Sequence, residues 1–536
     1  MVADPLTRRV AATPDRTALL DTAERQTAET GETTSREWTY RDLDARVDAV
    51  ASRLQMHART EENGTRQVGT LLSPHPAFVA TFHAAMRLGW TVVGLDTSLS
   101  RPELDARLAG VDLDLLVCEE ETEKLVLDRA SCPVVSVDNG GDAESLWVME
   151  NQFAETDSER CQSAETDSER CQSVETKSTE PVPPTDMAED DTVLVLFTSG
   201  TTGNPKGVRL TLGNLTASAT ASAFRLGVSP GDRWLCCLPV YHMGGLAPVF
   251  RTVTYGTTLV LQREFNAHET LRVIADHDVT GISLVPTQLS RLLDADGDSV
   301  GSSAADRPLS TLETVLLGGA PAPESLIERA TAAGVSVCPT YGLTETASQV
   351  ATAGPQEART YPGTVGQPLF GTTVTVVADG EPVEPGERGE LVVDGPTVTP
   401  GYLDAATTRE AFGELGLHTG DVGYEDENGR LWVTGRRDEL ILSGGELVAP
   451  EEVAEAIRDH PDVVDAAVVG LADEDWGERV TALVVADGSP SGADIREFCR
   501  ERLASYKLPK TVEFGTEIPR TASGTVDREA VREQFR

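Results

Sequence analysis

Positive charge is scarce in this chain. Lysine occurs five times in 536 residues, at positions 124, 177, 206, 507 and 510, and the formal net charge is −42. A surface of that sign repels nucleic-acid phosphate and anionic lipid, so neither is an expected partner. Long apolar runs are missing too. No stretch approaches the roughly 18 apolar residues of a membrane span, and the N-terminus lacks a charged segment followed by an apolar core. Membrane insertion and export are not expected; a cytoplasmic protein is. The eight cysteines are scattered, with no pair at metal-ligand spacing, which argues against a disulfide framework or a zinc site.

The charge deficit has a second consequence. Such a surface repels itself in dilute buffer, whereas at about 1 M salt the screening length falls to about 3 Å and the repulsion largely disappears. The chain reads as an intracellular protein of a halophile. Its length exceeds one comfortable core, so two or more domains are expected. Oligomeric state is not legible, and a homo-oligomer stays open.

What is present begins with one loop. Phe197-Thr198-Ser199-Gly200-Thr201-Thr202-Gly203-Asn204-Pro205-Lys206-Gly207 follows a strand-like apolar run at 192–196 and is expected to leave a sheet edge. Three glycines allow close backbone approach to a ligand, while hydroxyls and one ammonium converge on a small volume. That cradle suits polyphosphate. It is not a Walker loop, because glycine follows Lys206 where a magnesium-binding hydroxyl would stand, and Pro205 interrupts the amide run.

Around the loop, residues 38–140 alternate helical and strand-like pieces: a helix over 40–54 after a Thr39 cap, a strand at 68–72, a buried helix over 77–88, and strands at 113–118 and 133–137. The rhythm predicts parallel sheet with helical crossovers. It resumes from 192 to about 330, and a β-rich stretch with turns at Asp379-Gly380, Pro385-Gly386 and Asn428-Gly429 covers 374–433. From 439 onward a helix over 450–459, strands at 464–469 and 480–485, and a helix from 492 suggest a separate small domain. Between these parts, the decapeptide at 155–164 recurs at 165–174 with one change. Acidic, polar and followed by prolines, the segment 150–188 reads as a disordered insertion without a catalytic part.

Further motifs follow in order: Tyr241-His242-Met243-Gly244-Gly245, Leu317-Gly318-Gly319-Ala320-Pro321, Tyr341-Gly342-Leu343-Thr344-Glu345-Thr346, Thr419-Gly420-Asp421 and Gly435-Arg436-Arg437-Asp438. Each sits after a strand-like run or in a glycine-rich turn, where functional loops collect. With the phosphate-type loop, the set closely resembles the adenylate-forming acyl-CoA synthetase family, over nearly the whole chain apart from the insertion.

The resemblance implies an α/β protein: a large multi-lobed N-terminal domain (1–437) with mostly parallel sheets and a β-rich lobe, and a small mobile α+β C-terminal domain (438–536). It implies ATP and magnesium, with coenzyme A as co-substrate. Thr198, Ser199, Gly200, Thr201, Thr202, Gly203 and Lys206 match the loop handling the outer phosphates. Gly319, Ala320 and Tyr341 match the adenine pocket, with Tyr341 stacking on the base. Thr344 matches an α-phosphate contact, Glu345 the magnesium carboxylate, Asp421 the acceptor of both ribose hydroxyls, and Arg436 a ribose or phosphate contact. Asp438 matches the hinge, and Gly444 and Gly445 a loop that approaches the thioester site after rotation. His242 resembles a gate to the acyl group, with an orienting role.

The blocks 235–251, 285–288 and 316–323 resemble the subgroup that serves menaquinone biosynthesis, whose substrate is an aromatic acid with a second carboxylate. Arg251 is then the expected partner of that carboxylate, with Gln288 and Gly318 beside the acyl group. An aryl or medium-chain fatty acid is the alternative substrate. One position departs from the family. Its tail carries a lysine that assists adenylation, and here Pro519-Arg520-Thr521-Ala522-Ser523-Gly524-Thr525 puts threonine there. A nucleotide-binding relative with impaired adenylation is therefore a second alternative; Lys510, Arg520 and Arg528 are the candidate replacements.

Overall fold

The computed structural model describes residues 4–26, 33–58, 66–138, 144–145, 182–198, 205–297, 307–443, 446–473, 476–521 and 524–535. Most of the repeat insertion, with Cys161 and Cys171, lies outside the described residues. So do Ser199, Gly200, Thr201, Thr202, Gly203, Gly444 and Gly445. The chain forms two compact units, Met1–Gly213 with Pro239–Glu264, and Asn214–Leu238 with Phe265–Arg536.

In the first unit, strands Thr192–Thr198, Thr91–Gly94, Gln67–Leu71, Leu115–Cys118, Val134–Ser136 and Glu144–Ser145 lie side by side and parallel. Lys206–Thr211 joins Thr192–Thr198 antiparallel. The expectation of a loop leaving a sheet edge is corrected here. Thr192–Thr198 is an inner strand, flanked by Thr91–Gly94 on one side and by the antiparallel strand Lys206–Thr211 on the other. Lys206 and Arg209 hid the return strand, because they break its apolar pattern. The neighbouring helix Pro76–Leu88 is buried along its whole length, as thirteen mostly apolar residues require. Its exception is Arg87, whose guanidinium is held by Asp44 at 2.5 Å and Asp48 at 2.6 Å, with Asp4 at 3.6 Å. A buried cation is tolerable only with such partners. Strand Thr17–Gln26 pairs parallel with Thr258–Leu261 and antiparallel with Thr33–Thr39.

The second unit begins with four parallel strands, Arg233–Cys236, Gly281–Leu284, Thr314–Leu317 and Val337–Tyr341. Their carboxyl ends release the segments 285–288, 318–321 and 342–348, the place where open α/β sheets bind ligands. A second, antiparallel sheet contains Thr373–Ala378, Gly389–Asp394, Gly416–Glu425 and Leu431–Arg436. The β-rich expectation for 374–433 matches these strands.

A third sheet follows Asp438, centred on the long hairpin Val463–Asp473 and Gly477–Ala486. Helices Pro450–Arg458 and Gly492–Arg500 bury Val453, Ile457, Ile495 and Cys499 against it, which makes a core of its own. Of the eight cysteines, the six described are free thiols, and all but Cys132 are buried. No described helix is long and apolar enough to cross a membrane.

Candidate functional site

The second unit gathers several expected nucleotide residues by sheet register. Asp421 and Arg436 face each other across neighbouring antiparallel strands, and Arg436 Nη1 donates to Asp421 Oδ1 at 3.2 Å. Tyr341, at the end of its parallel strand, donates its phenol to Asp421 Oδ2 at 2.6 Å. Three expected residues thus form one hydrogen-bonded cluster, although 80 residues separate Tyr341 from Asp421. Burial pushes the Asp421 carboxyl up to about 6; the Tyr341 phenol and Arg436 pull it back, while Glu345 and Glu439 add to the rise. The same burial, with the Asp421 charge, drives the Tyr341 phenol well above its ordinary range. Tyr341 is therefore a permanent donor, and Asp421 is the group that titrates.

Thr344 and Glu345 occupy a short 3-10 turn, Thr344–Thr346, directly after Tyr341. The turn is tightly wound. A Cβ at Gly342 would stand 1.6 Å from the Ser348 carbonyl oxygen, so only glycine fits. Ala347 and Ser348 follow with φ of 51° and 111°, strained values for side-chain-bearing residues. The Ser218 hydroxyl, donating to the Ala347 carbonyl at 2.6 Å, helps hold that geometry.

Glu345 is partly exposed, and its Oε1 accepts from the Tyr402 phenol at 2.9 Å. Its Oε2 has no hydrogen-bond donor among the described residues. No group of three or more His, Cys, Asp or Glu suited to a metal occurs among the described residues. One carboxylate with a free oxygen fits magnesium specifically, since that ion keeps water and is usually shared between one or two carboxylates and substrate phosphates.

Gly318, Gly319 and Ala320 follow strand Thr314–Leu317, and Gly319 takes φ of 80° beside Val285. Gln288 lies in the first turn of helix Pro286–Gly297, where its Oε1 accepts from the Val285 amide at 3.2 Å. That bond caps the helix and leaves the amide nitrogen of Gln288 as the group available to a substrate.

The first unit holds the residues expected to meet the acid. His242 stands at the N-cap position of helix Met243–Tyr255 without a side-chain capping bond, and Arg251 lies on that helix, 7% exposed. Burial lowers the pKa of both; Asp96 partly offsets this for His242 and Tyr255 for Arg251. The Tyr241 ring meets the His242 ring edge-on, 4.8 Å between centroids, and its phenol bonds Asp96, Thr97 and Ser98. Burial and the Asp96 charge push that phenol up to about 12. Thr198 and Lys206 are register partners on neighbouring antiparallel strands.

Comparison with known proteins shows the family. A family model described as AMP-binding enzyme matches residues 6–403, and one described as AMP-binding enzyme C-terminal domain matches 452–525. The chain belongs to the AMP-binding enzyme family. It is 37% identical over 463 residues to a 2-succinylbenzoate–CoA ligase of Bacillus licheniformis, covering 85% of this chain and 87% of the relative. Among solved structures, it resembles an o-succinylbenzoate CoA synthetase from Bacillus subtilis in complex with the acyl-adenylate intermediate. The TM-score is 0.81, with 31% identity, 99% of this chain and 98% of that one. The same synthetase in complex with ATP and magnesium ion gives 0.81 and 31%, over 99% of each chain.

The tail carries the position where the family resemblance implies a lysine and this chain has Thr525. Arg520 and Val526 form an antiparallel bridge, and the Thr521 amide donates to the Thr525 carbonyl at 2.8 Å. The hydroxyls of Thr521 and Thr525 are 2.7 Å apart. Gly524 approaches the strand end that leads to Gln288: a Cβ on it would lie 3.4 Å from Val285 and 3.7 Å from the Thr287 hydroxyl. The candidate replacements for the missing lysine are all engaged. Arg520 bonds Asp465 at 2.7 Å and the Gly524 carbonyl at 3.0 Å, Arg528 pairs with Glu439 at 2.6 Å, and Lys510 lies over the Trp476 ring at 4.2 Å.

Two residues of these clusters, Asp96 and Tyr402, escaped the sequence reading. Asp96 sits in a turn, and Tyr402 follows Pro400-Gly401; neither has a spacing that marks it before the chain is folded. A buried-type aromatic next to a Pro-Gly turn was the only available signal for Tyr402.

Proposed function

We propose that this chain is an ATP-dependent acid–thiol ligase that converts o-succinylbenzoate and coenzyme A to the acyl-CoA, AMP and pyrophosphate through an acyl-adenylate. The observation that carries the reading is the Tyr341–Asp421–Arg436 cluster beside Thr344 and Glu345, at the carboxyl ends of a parallel sheet. The names of the relatives above support the choice of acid. Asp421 binds both ribose hydroxyls in this reading, and Tyr341 presents its ring to adenine while its phenol stays tied to Asp421. Arg436 contacts ribose or phosphate, and Thr344 donates to the α-phosphate. Glu345 would hold the magnesium ion, which when bound supplies positive charge to the phosphate oxygens.

The first half-reaction forms a bond between a carboxylate oxygen of the acid and the α-phosphorus, and breaks the bond to the bridging oxygen of pyrophosphate. In the second, the coenzyme A sulfur, having lost its proton, bonds the acyl carbon and AMP leaves with the electron pair. Donors already aimed at the phosphate oxygens stabilise the charge that develops. We assign residues 438–536 to a mobile domain pivoting at Asp438, so that both steps share one set of substrate groups. His242 orients the acid rather than taking its proton. The free thiols support a reducing, cytoplasmic setting.

Pyrophosphate release at molar salt tests the reading. It is expected to require both magnesium and the cognate acid. An acid panel separates the alternatives: preference for aryl or medium-chain fatty acids rejects o-succinylbenzoate, and no release with any acid rejects the ligase. Thr525 favours one other reading, a relative that binds AMP or coenzyme A without turnover; tight binding with no pyrophosphate would support it.

Arg251 supplies the second prediction. Helical rise puts position 251 about 13 Å along the axis from 242, and helical side chains lean back toward the N-terminus. That span suits an acid with carboxylates at both ends. Loss of a charged hydrogen bond costs about 1.5–3 kcal/mol. Arg251→Ala is therefore expected to lower kcat/KM for o-succinylbenzoate by about 10- to 100-fold, with benzoate-like acids nearly unaffected. Equal losses for both would reject the assignment.

A further inference from the structure

We propose that Tyr402 is a positioning residue that dedicates one oxygen of Glu345 to the protein and so fixes which oxygen meets the divalent cation of the nucleotide. The inference rests on the reading of Glu345 as the magnesium carboxylate and deepens it.

The segment carrying Tyr402 grips Glu345 at two points. The Thr399 amide donates to the Glu345 carbonyl at 2.7 Å, and the Tyr402 phenol donates to Glu345 Oε1 at 2.9 Å. The segment is itself braced. Thr399 Oγ1 donates to the Gly401 carbonyl at 2.9 Å and accepts from the Gly401 amide at 3.0 Å, and the Tyr402 amide donates to Thr408 Oγ1 at 2.9 Å. Gly401 has φ of 134°, and a Cβ there would stand 2.4 Å from the Thr408 methyl, so the turn closes only with glycine. Tyr402 is buried, at 6% exposure.

The terminal torsion of a glutamate is broad, so an unrestrained carboxylate offers either oxygen in many orientations. A rigid donor on Oε1 removes that freedom and leaves Oε2 facing away from the protein donor. Groups that hold a metal ligand from behind in this way are commonly worth 10- to 100-fold in metal affinity.

The test titrates manganese, as a magnesium probe, into the full-length protein with bound ATP, read by electron paramagnetic resonance at molar salt. AMP affinity without metal is measured in parallel. Tyr402→Phe removes one oxygen and keeps the ring. It is expected to weaken manganese binding by about 10-fold or more while AMP affinity changes less than about twofold. Unchanged manganese binding overturns the proposal. Parallel loss of manganese and AMP binding also overturns it, since that marks a packing role. Glu345→Gln is the reference. If it binds manganese like the parent, the metal reading of Glu345 falls and the role of Tyr402 with it; if it loses manganese while Tyr402→Phe does not, only the Tyr402 inference fails.

Discussion

Asp421→Asn is expected to weaken AMP binding by about 10- to 100-fold and to flatten its pH dependence near pH 6. The argument starts from burial. Asp421 is 7% exposed, and desolvation pushes its carboxyl up to about 6. Above that pH it is an acceptor-only carboxylate able to receive two ribose hydroxyls; below it, one oxygen carries a proton and the charge is gone. Wild-type affinity for AMP is thus expected to fall as pH drops through about 6. Hydrogen bonds to a charged group contribute about 1.5–3 kcal/mol each, which sets the size of the loss in the amide variant. Calorimetric titrations from pH 5 to pH 8 read both effects. A variant that keeps the parent's affinity at pH 8 removes Asp421 from the ribose site.

The same shift acts on stability with the opposite sense. The folded state holds the Asp421 proton more tightly than the unfolded state, where the carboxyl titrates near its ordinary value. The contribution of this residue is therefore present at acid pH and lost as pH rises through about 6. The protein keeps a carboxylate whose ionisation opposes folding, and the proposed ribose contact needs that ionised form. Such conflicts between burial and charge collect at functional sites.

Much of the architecture follows from local pattern. The helix Tyr40–His57 after its Thr39 cap, the buried helix Pro76–Leu88, and the helix Pro450–Arg458 with proline at its first turn each obey a periodicity or a capping rule that needs no tertiary information. Among the proposed site residues, Tyr341, Thr344, Glu345, Asp421 and Arg436 lie in or beside glycine-containing segments, so local sequence marks them as candidates. Arg251 and Gln288 lie on helices without such a mark. What stayed hidden depends on long-range pairing. The Lys206–Thr211 strand has a partner only because the chain turns back on itself, and its charges obscure the pattern. Tyr402 acts on Glu345 across 57 residues, and Asp96 acts on Tyr241 across a still longer stretch of sequence. Gln288 shows the limit in reverse: its side-chain oxygen serves its own helix first.

Thr525→Lys is expected to raise acyl-adenylate formation by about 10- to 100-fold. The AMP-binding family resemblance places an ammonium at this position, and removing one such charge-stabilising donor commonly costs about 10²- to 10³-fold. The tail here carries two hydroxyls in its place, bonded to each other at 2.7 Å. Neighbouring cations do not fill the gap, since Arg520 is fixed on Asp465, Arg528 on Glu439 and Lys510 over Trp476. A lysine at 525 has the length that threonine lacks, and it follows Gly524, which already approaches Val285 and Thr287. Nothing in the backbone pairing opposes it, because the Thr525 carbonyl, not its side chain, accepts from the Thr521 amide. The gain is expected in single-turnover pyrophosphate release and not in thioester formation started from preformed acyl-adenylate. That split distinguishes a charge supplied to the first step from a general improvement in folding, which would raise both. An unchanged first step would mean that a cation already bound near the phosphates, with Arg436 the nearest to Asp421, carries the whole electrostatic load.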